Sequence, residues 1–151
     1  MTNRIKRNGT QYVYSLRNYV LYVGAHTIKG PERSYNNDVI VADRNVFAVA
    51  DGAGTPEERG IPSVIVGREI RRDGTVHLGV APAFPLEGII RSGHKKIQRW
   101  KKEKGTYGGT TVSAVRIYEN GSVNAELAHV GDSRIYKGNV RTEAPISFVD
   151  S

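Results

Sequence analysis

The chain has 151 residues, 38% of them hydrophobic, and no cysteine. That suffices for one modest core, excludes disulfides and thiolate metal sites, and fits a reducing, cytoplasmic setting. The formal net charge is +7, from 22 basic and 15 acidic residues, a balance that on its own points toward nucleic acid or another anionic surface.

Arg4, Lys6 and Arg7 precede an apolar stretch at residues 19–25. Arg17 and Asn18 abut it and no small-residue cleavage site follows, so residues 19–26 read as a strand rather than a signal peptide. The longest unbroken apolar runs are about five residues, against about 20 for a membrane span. Two further strands are predicted over residues 39–42 and 46–50, joined by Asp43-Arg44-Asn45. Residues 62–72 read as a helix with Pro62 in its first turn and Asp73-Gly74 closing it.

A Gly- and Pro-rich loop over residues 79–85 leads into a second helix, on which Leu86, Ile89, Ile90, Ile97 and Trp100 keep helical spacing. Arg91, Lys95, Lys96, Arg99, Lys101, Lys102 and Lys104 take the other faces, and Gly105 ends the helix. A solvated basic face accounts for much of the net charge; docking of an acidic phosphoprotein or nucleic acid is the competing account. The tyrosine-rich start (Tyr12, Tyr14, Tyr19, Tyr22) would serve nucleic acid too, but no nucleic-acid motif accompanies it. Residues 110–118 and 123–130 flank Asn120-Gly121, a strong hairpin signal, and residues 134–137 and 140–142 flank Gly138-Asn139. Strands, two helices and more strands predict an α+β layered domain with an antiparallel sheet, and no repeat or linker divides residues 1–151.

Three segments carry chemistry. Residues 46–50 form an apolar run that stops at Asp51-Gly52-Ala53-Gly54, the pattern of a buried strand that releases a carboxylate where glycine lets backbone approach an ion or phosphate. Asp-Gly is also an ordinary turn pair. Arg33-Ser34-Tyr35-Asn36-Asn37-Asp38 precedes it, and His129-Val130-Gly131-Asp132-Ser133-Arg134 follows. Three such stops with an arginine before the first suggest a hard-cation site facing a phosphate.

In that order, and with Gly109-Thr110-Thr111 between the last two, these segments resemble the metal-dependent type 2C protein serine/threonine phosphatases, over residues 22–136. The resemblance implies two stacked antiparallel sheets flanked by helix pairs, and two or more Mn²⁺ or Mg²⁺ ions. Such ions, about 3.5–4 Å apart, activate a water that attacks phosphoserine or phosphothreonine without a covalent intermediate. It also implies roles. Asp51 would bridge both metals, Gly52 would offer its backbone carbonyl, Asp38 would stand at the edge of the site, and Asp132 would help hold a weaker metal. Arg33 would clamp the substrate phosphate with its planar fork. Asp132 is also readable as a turn cap, the lesser of the two readings. The implied partners are a phosphoprotein substrate and a cognate serine/threonine kinase, with no membrane.

Three departures stand out. Asn37 occupies a position where the family most often has Glu, so an amide oxygen replaces a charged ligand. Ala53 stands where many eukaryotic members carry a histidine, which points to a bacterial or phage origin. The family's two further metal-binding aspartates lie well downstream of the last motif, where this chain has only Asp150. The expectation is an N-terminal portion, or a degenerate short relative, of a bacterial-type phosphatase domain, inactive alone. The alternative is an inert phosphatase-like module that binds a phosphoprotein or kinase.

Overall fold

The computed structural model describes residues 4–6, 10–15, 19–55, 60–77, 80–136 and 138. In chain order they form β1 (Arg4–Lys6), β2 (Thr10–Ser15), β3 (Val20–Ala25), β4 (Val39–Asp43), β5 (Val46–Ala50), β6 (Gly52–Ala53), α1 (Ile61–Asp73), α2 (Leu86–Lys104), β7 (Gly109–Thr110), β8 (Val112–Asn120) and β9 (Ser122–Val130). The strands assemble into sheets ordered β1-β2-β3, β4-β5-β8-β9 and β6-β7, and every pairing among the described residues is antiparallel. This is the α+β architecture that the order of strands and helices predicts.

The core lies between the helix pair and one face of the four-stranded sheet. Alternation along β5 sends Val46, Ala48 and Ala50 inward, and Val112 and Ala114 of β8 join them on the same face. Val66 and Ile70 of α1 and Leu86, Ile89, Ile90 and Ile97 of α2 close the layer. Trp100, last in the predicted stripe, is half-buried. Gly105 ends α2 with φ 63 and donates its N–H to the Lys101 carbonyl, the left-handed cap its sequence implies. The long hairpin β8–β9 turns at Gly121, with φ 73.

The structure departs from expectation at both ends. β1 and β2 have no counterpart in the sequence reading. β2 is a mixed polar run that becomes a strand by pairing with β3, from Thr10↔Ala25 to Ser15↔Val20, and such a partner lies outside any local pattern. The strand expected at residues 134–137 is not formed over 134–136, whose intended partner at 140–142 lies outside the described residues, as does Asp150.

Two buried charges tie the layers together. Glu69 of α1 accepts Lys96 Nζ of α2 at 2.7 Å, Arg72 at 2.9 Å and Ser92 Oγ at 3.3 Å. Arg116 of β8 occupies a core-facing position with no exposed surface. Its guanidinium donates to the Gly74 carbonyl at 3.2 Å, the Phe84 carbonyl at 2.7 Å and the Glu126 carboxylate of β9. Glu126 in turn accepts the Leu86 N–H at 2.6 Å. It thereby caps α2, whose own N-cap Pro85 offers no side-chain acceptor.

Deleting Arg116 strands the Glu126 carboxylate and two backbone carbonyls, and deleting Glu126 strands the guanidinium and the Leu86 N–H. Arg116→Met is expected to destabilise the chain by about 3 kcal/mol in urea unfolding, and Glu126→Gln by less, since an amide oxygen still accepts from Leu86. A loss below about 1 kcal/mol for Arg116→Met would contradict this.

Candidate functional site

Asp51 is placed by the end of β5. Ala50 is buried, the next residue emerges from the core, and the Asp51 carboxylate is exposed. Its backbone is held rigidly. The Asp51 carbonyl accepts the Thr111 N–H and the Thr110 hydroxyl, both at 2.9 Å, and Ser63 Oγ of α1 donates to Thr110 Oγ1 at 2.9 Å. The two threonines thus hold the Asp51 backbone in place. The Thr111 hydroxyl is also 2.7 Å from Ser133 Oγ, which draws the segment carrying Asp132 to the same end of the sheet.

The first motif folds underneath. Asn36 Oδ1 accepts the Asp38 N–H at 3.0 Å and Asn36 Nδ2 donates to Thr27 Oγ1 at 2.8 Å, fixing the turn that presents Asp38. Asp38 Oδ1 accepts the Gly52 N–H at 3.4 Å. Asn37 is buried, packed between two glycines. A Cβ on Gly52 would lie 2.3 Å from the Asn37 carbonyl oxygen and 2.6 Å from Ser63 Oγ. A Cβ on Gly60, where φ is +64, would lie 2.8 Å from the same carbonyl oxygen. Only glycine fits at either place.

Electrostatics single out Asp51. Burial pushes its carboxyl above the ordinary 3.8, the neighbouring Asp38 carboxyl adds repulsion and a hydrogen bond, and Asp132 adds more repulsion; only Arg33 opposes them. Asp51 and Asp38 are therefore neighbours, with Asp132 and Arg33 close enough to be felt. A cleft of about 490 Å³ is lined by residues 32–35, Asn37 and residues 51–54. Of the six residues singled out in the sequence, Arg33, Asn37, Asp51 and Gly52 line this cleft, Asp38 contacts Asp51 and Gly52, and Asp132 acts across space. Asn36, Ser63 and the threonine hydroxyls escaped the sequence reading. Only the Ser/Thr/Asn content near each motif hinted at them. His129 lies apart in function, 3.2 Å from Ser113 Oγ through Nδ1.

The donor set suits a hard divalent cation. It is all oxygen, it gathers like charges that a cation would relieve, and Asn37 Oδ1 is buried with no hydrogen-bond partner among the described residues. It is also sparse. Among the described residues no three His, Cys, Asp or Glu side chains come close enough to hold an ion by themselves.

No protein-family model matches the sequence, and no curated protein does. Solved structures do. The Mycobacterium tuberculosis serine/threonine phosphatase PstP/Ppp aligns with 71% of this chain at 25% identity and a TM-score of 0.61. The PstP catalytic domain in complex with two manganese ions aligns at 26% identity and a TM-score of 0.62, again over 71%. The PPM Ser-Thr phosphatase MsPP from Mycobacterium smegmatis, in complex with cacodylate, aligns over 70% at 27% identity and a TM-score of 0.57. The matched part is 45%, 46% and 44% of those chains respectively, so this chain spans under half the length of the structures it matches. Its structural neighbours are PPM-family serine/threonine phosphatases, and its described residues carry part of the type 2C phosphatase fold.

The raised Asp51 carboxyl has a consequence for stability. The folded chain holds the proton more tightly than the unfolded one, so ionisation destabilises the fold progressively as pH rises from the ordinary 3.8 through the folded value. Asp51→Asn is expected to raise the Tm at pH 7 in EDTA and to change nothing below the ordinary value; a lowered Tm at pH 7 would refute it. Gly52→Ala, by contrast, is expected to destabilise by about 2–3 kcal/mol in urea unfolding, because the nearest atom to the added methyl is the Asn37 backbone carbonyl oxygen, which cannot rotate away as a side chain could.

Proposed function

We propose that this chain supplies the phosphate- and metal-facing part of a bacterial-type, metal-dependent protein serine/threonine phosphatase of the cytoplasm. Its substrates are phosphoserine and phosphothreonine in proteins, among them those of a cognate kinase. The observation that carries the proposal is the meeting of Arg33 and Asp51 in one cleft, from segments separated in sequence, with Asp38 beside Asp51 and bonded to the Gly52 N–H. Likeness to a phosphatase domain in complex with two manganese ions supports it.

Each residue has a task. Asp51 and Asp38, with the neutral oxygen of Asn37, the backbone of Gly52 and the more distant Asp132, would hold Mn²⁺ or Mg²⁺. Bound there, such ions neutralise phosphoryl oxygens and make a water nucleophilic near neutral pH. Arg33 meets two phosphate oxygens with its guanidinium fork, orienting the ester for in-line attack. The hydrogen bonds on the Asp51 carbonyl fix the main chain from which its carboxylate projects, so the backbone is set before any ligand arrives. No cysteine is present to act as a thiol nucleophile.

The sparse charge of the donor set favours a second reading: a module that binds phosphoprotein without cleaving it. Activity separates the two. The 151 residues alone are expected to be nearly inactive, and addition of a polypeptide carrying the rest of a type 2C domain is expected to give Mn²⁺-dependent hydrolysis of a phosphothreonine peptide. In the completed domain Asp51→Ala should abolish turnover, and Arg33→Ala should chiefly raise KM, by about tenfold or more. Asn37→Glu should tighten Mn²⁺ binding measured by calorimetry. A completed domain that binds the phosphopeptide and never cleaves it would establish the inert module.

A further inference from the structure

The acid-lined cleft does not end at Gly54. A second cleft, of about 580 Å³, shares Ala53 and Gly54 with it and is otherwise lined by Thr55 and residues 105–109. The two walls are stitched together by the pairing of β6 with β7, Gly52 to Thr110 and Ala53 to Gly109. A chain whose phosphate reached Asp51 and Arg33 would therefore run its neighbouring residues over Ala53 and Gly54 into this second space.

The lining suits a peptide. Gly54, Gly105, Gly108 and Gly109 leave half of its lining positions without side chains, and a Cβ built on Gly105 or Gly109 would meet nothing within 4 Å. An extended backbone can lie close there. Tyr107 stands at the rim, 93% exposed, an aromatic face of the kind that anchors peptides. The last turn of α2 carries Lys101, Lys102 and Lys104, and Gly105 directly after them lines the cleft. These lysines complement the helix dipole, yet among the described residues no ion pair engages any of them, whereas Lys96, Arg72 and Arg91 are all paired.

We infer that this second cleft is the subsite for residues flanking the phosphorylated side chain, and that it selects phosphopeptides with acidic flanks. The inference rests on the phosphatase reading of the adjoining cleft. Tyr107 supplies contact area that does not depend on sequence, and the lysines supply the selectivity, through charge that salt weakens.

Fluorescence anisotropy with the 151-residue chain in Mn²⁺ buffer tests it, using two labelled phosphothreonine peptides that differ only in acidic or neutral flanks. The acidic peptide is expected to bind about fivefold more tightly at low salt. Lys102→Ala with Lys104→Ala should erase that preference and leave the neutral peptide unaffected. Tyr107→Ala should weaken both peptides alike. Both changes fall on exposed positions, and circular dichroism would confirm an unaltered fold. Equal affinity for the two peptides, with Arg33→Ala weakening both, would overturn the subsite and leave the phosphatase reading standing. Indifference to Arg33→Ala, or no binding of either peptide, would overturn the reading beneath it as well.

Discussion

A guanidinium with no exposed surface holds this fold together. Arg116 sits where the alternation of β8 calls for an aliphatic residue, and there it gathers the Gly74 and Phe84 carbonyls at the two ends of the connection between the helices. Through Glu126 it reaches the first turn of α2. Hairpin, inter-helix connection and helix start are thus fixed by one charge. Were the connection or the helix start to shift, a buried charge would be left without partners, which is why a single arrangement is favoured so strongly. α2, placed this way, delivers its C-terminal end and the Gly105–Gly108 loop to β7, and β7 meets β6 beside Asp51.

At the other end of the sheet, electrostatics run the opposite way. Asp38 and Asp132 stand close enough to Asp51 to oppose its charge, and Arg33 offsets that only in part. The packing that enforces this is neutral: glycines over Asn37, and hydroxyls on the Asp51 carbonyl. The frame therefore holds Asp51 against repulsion, which, on the phosphatase reading, a divalent ion bound there would offset.

Much of this was legible in the sequence where the signal was local. The apolar spacing from Leu86 to Ile97 gave α2 and Gly105 its end; Asn120-Gly121 gave the hairpin; the run from Val46 to Ala50 gave β5 and the exit of Asp51. The motif order predicted that Arg33, Asp38 and Asp51 converge. What stayed hidden depends on distant partners. Thr110 and Asp51 are 59 positions apart, the Ser63 hydroxyl is 47 from Thr110, and β2 is a strand only because β3 lies beside it. Arg116 left a trace, a charge in an otherwise apolar register, but its purpose required Gly74, Phe84 and Glu126 to be seen together.

The glycines over Asn37 carry a consequence of another kind. The Asp51 carboxylate burdens the folded chain, whereas Gly52 and Gly60 are demanded by its backbone packing. Mutational drift released from selection for chemistry would therefore discard that carboxylate early, and gain stability by doing so. The glycines would persist. Descendants that had fallen silent would be recognisable by an intact glycine skeleton around a cleft that had lost its aspartate.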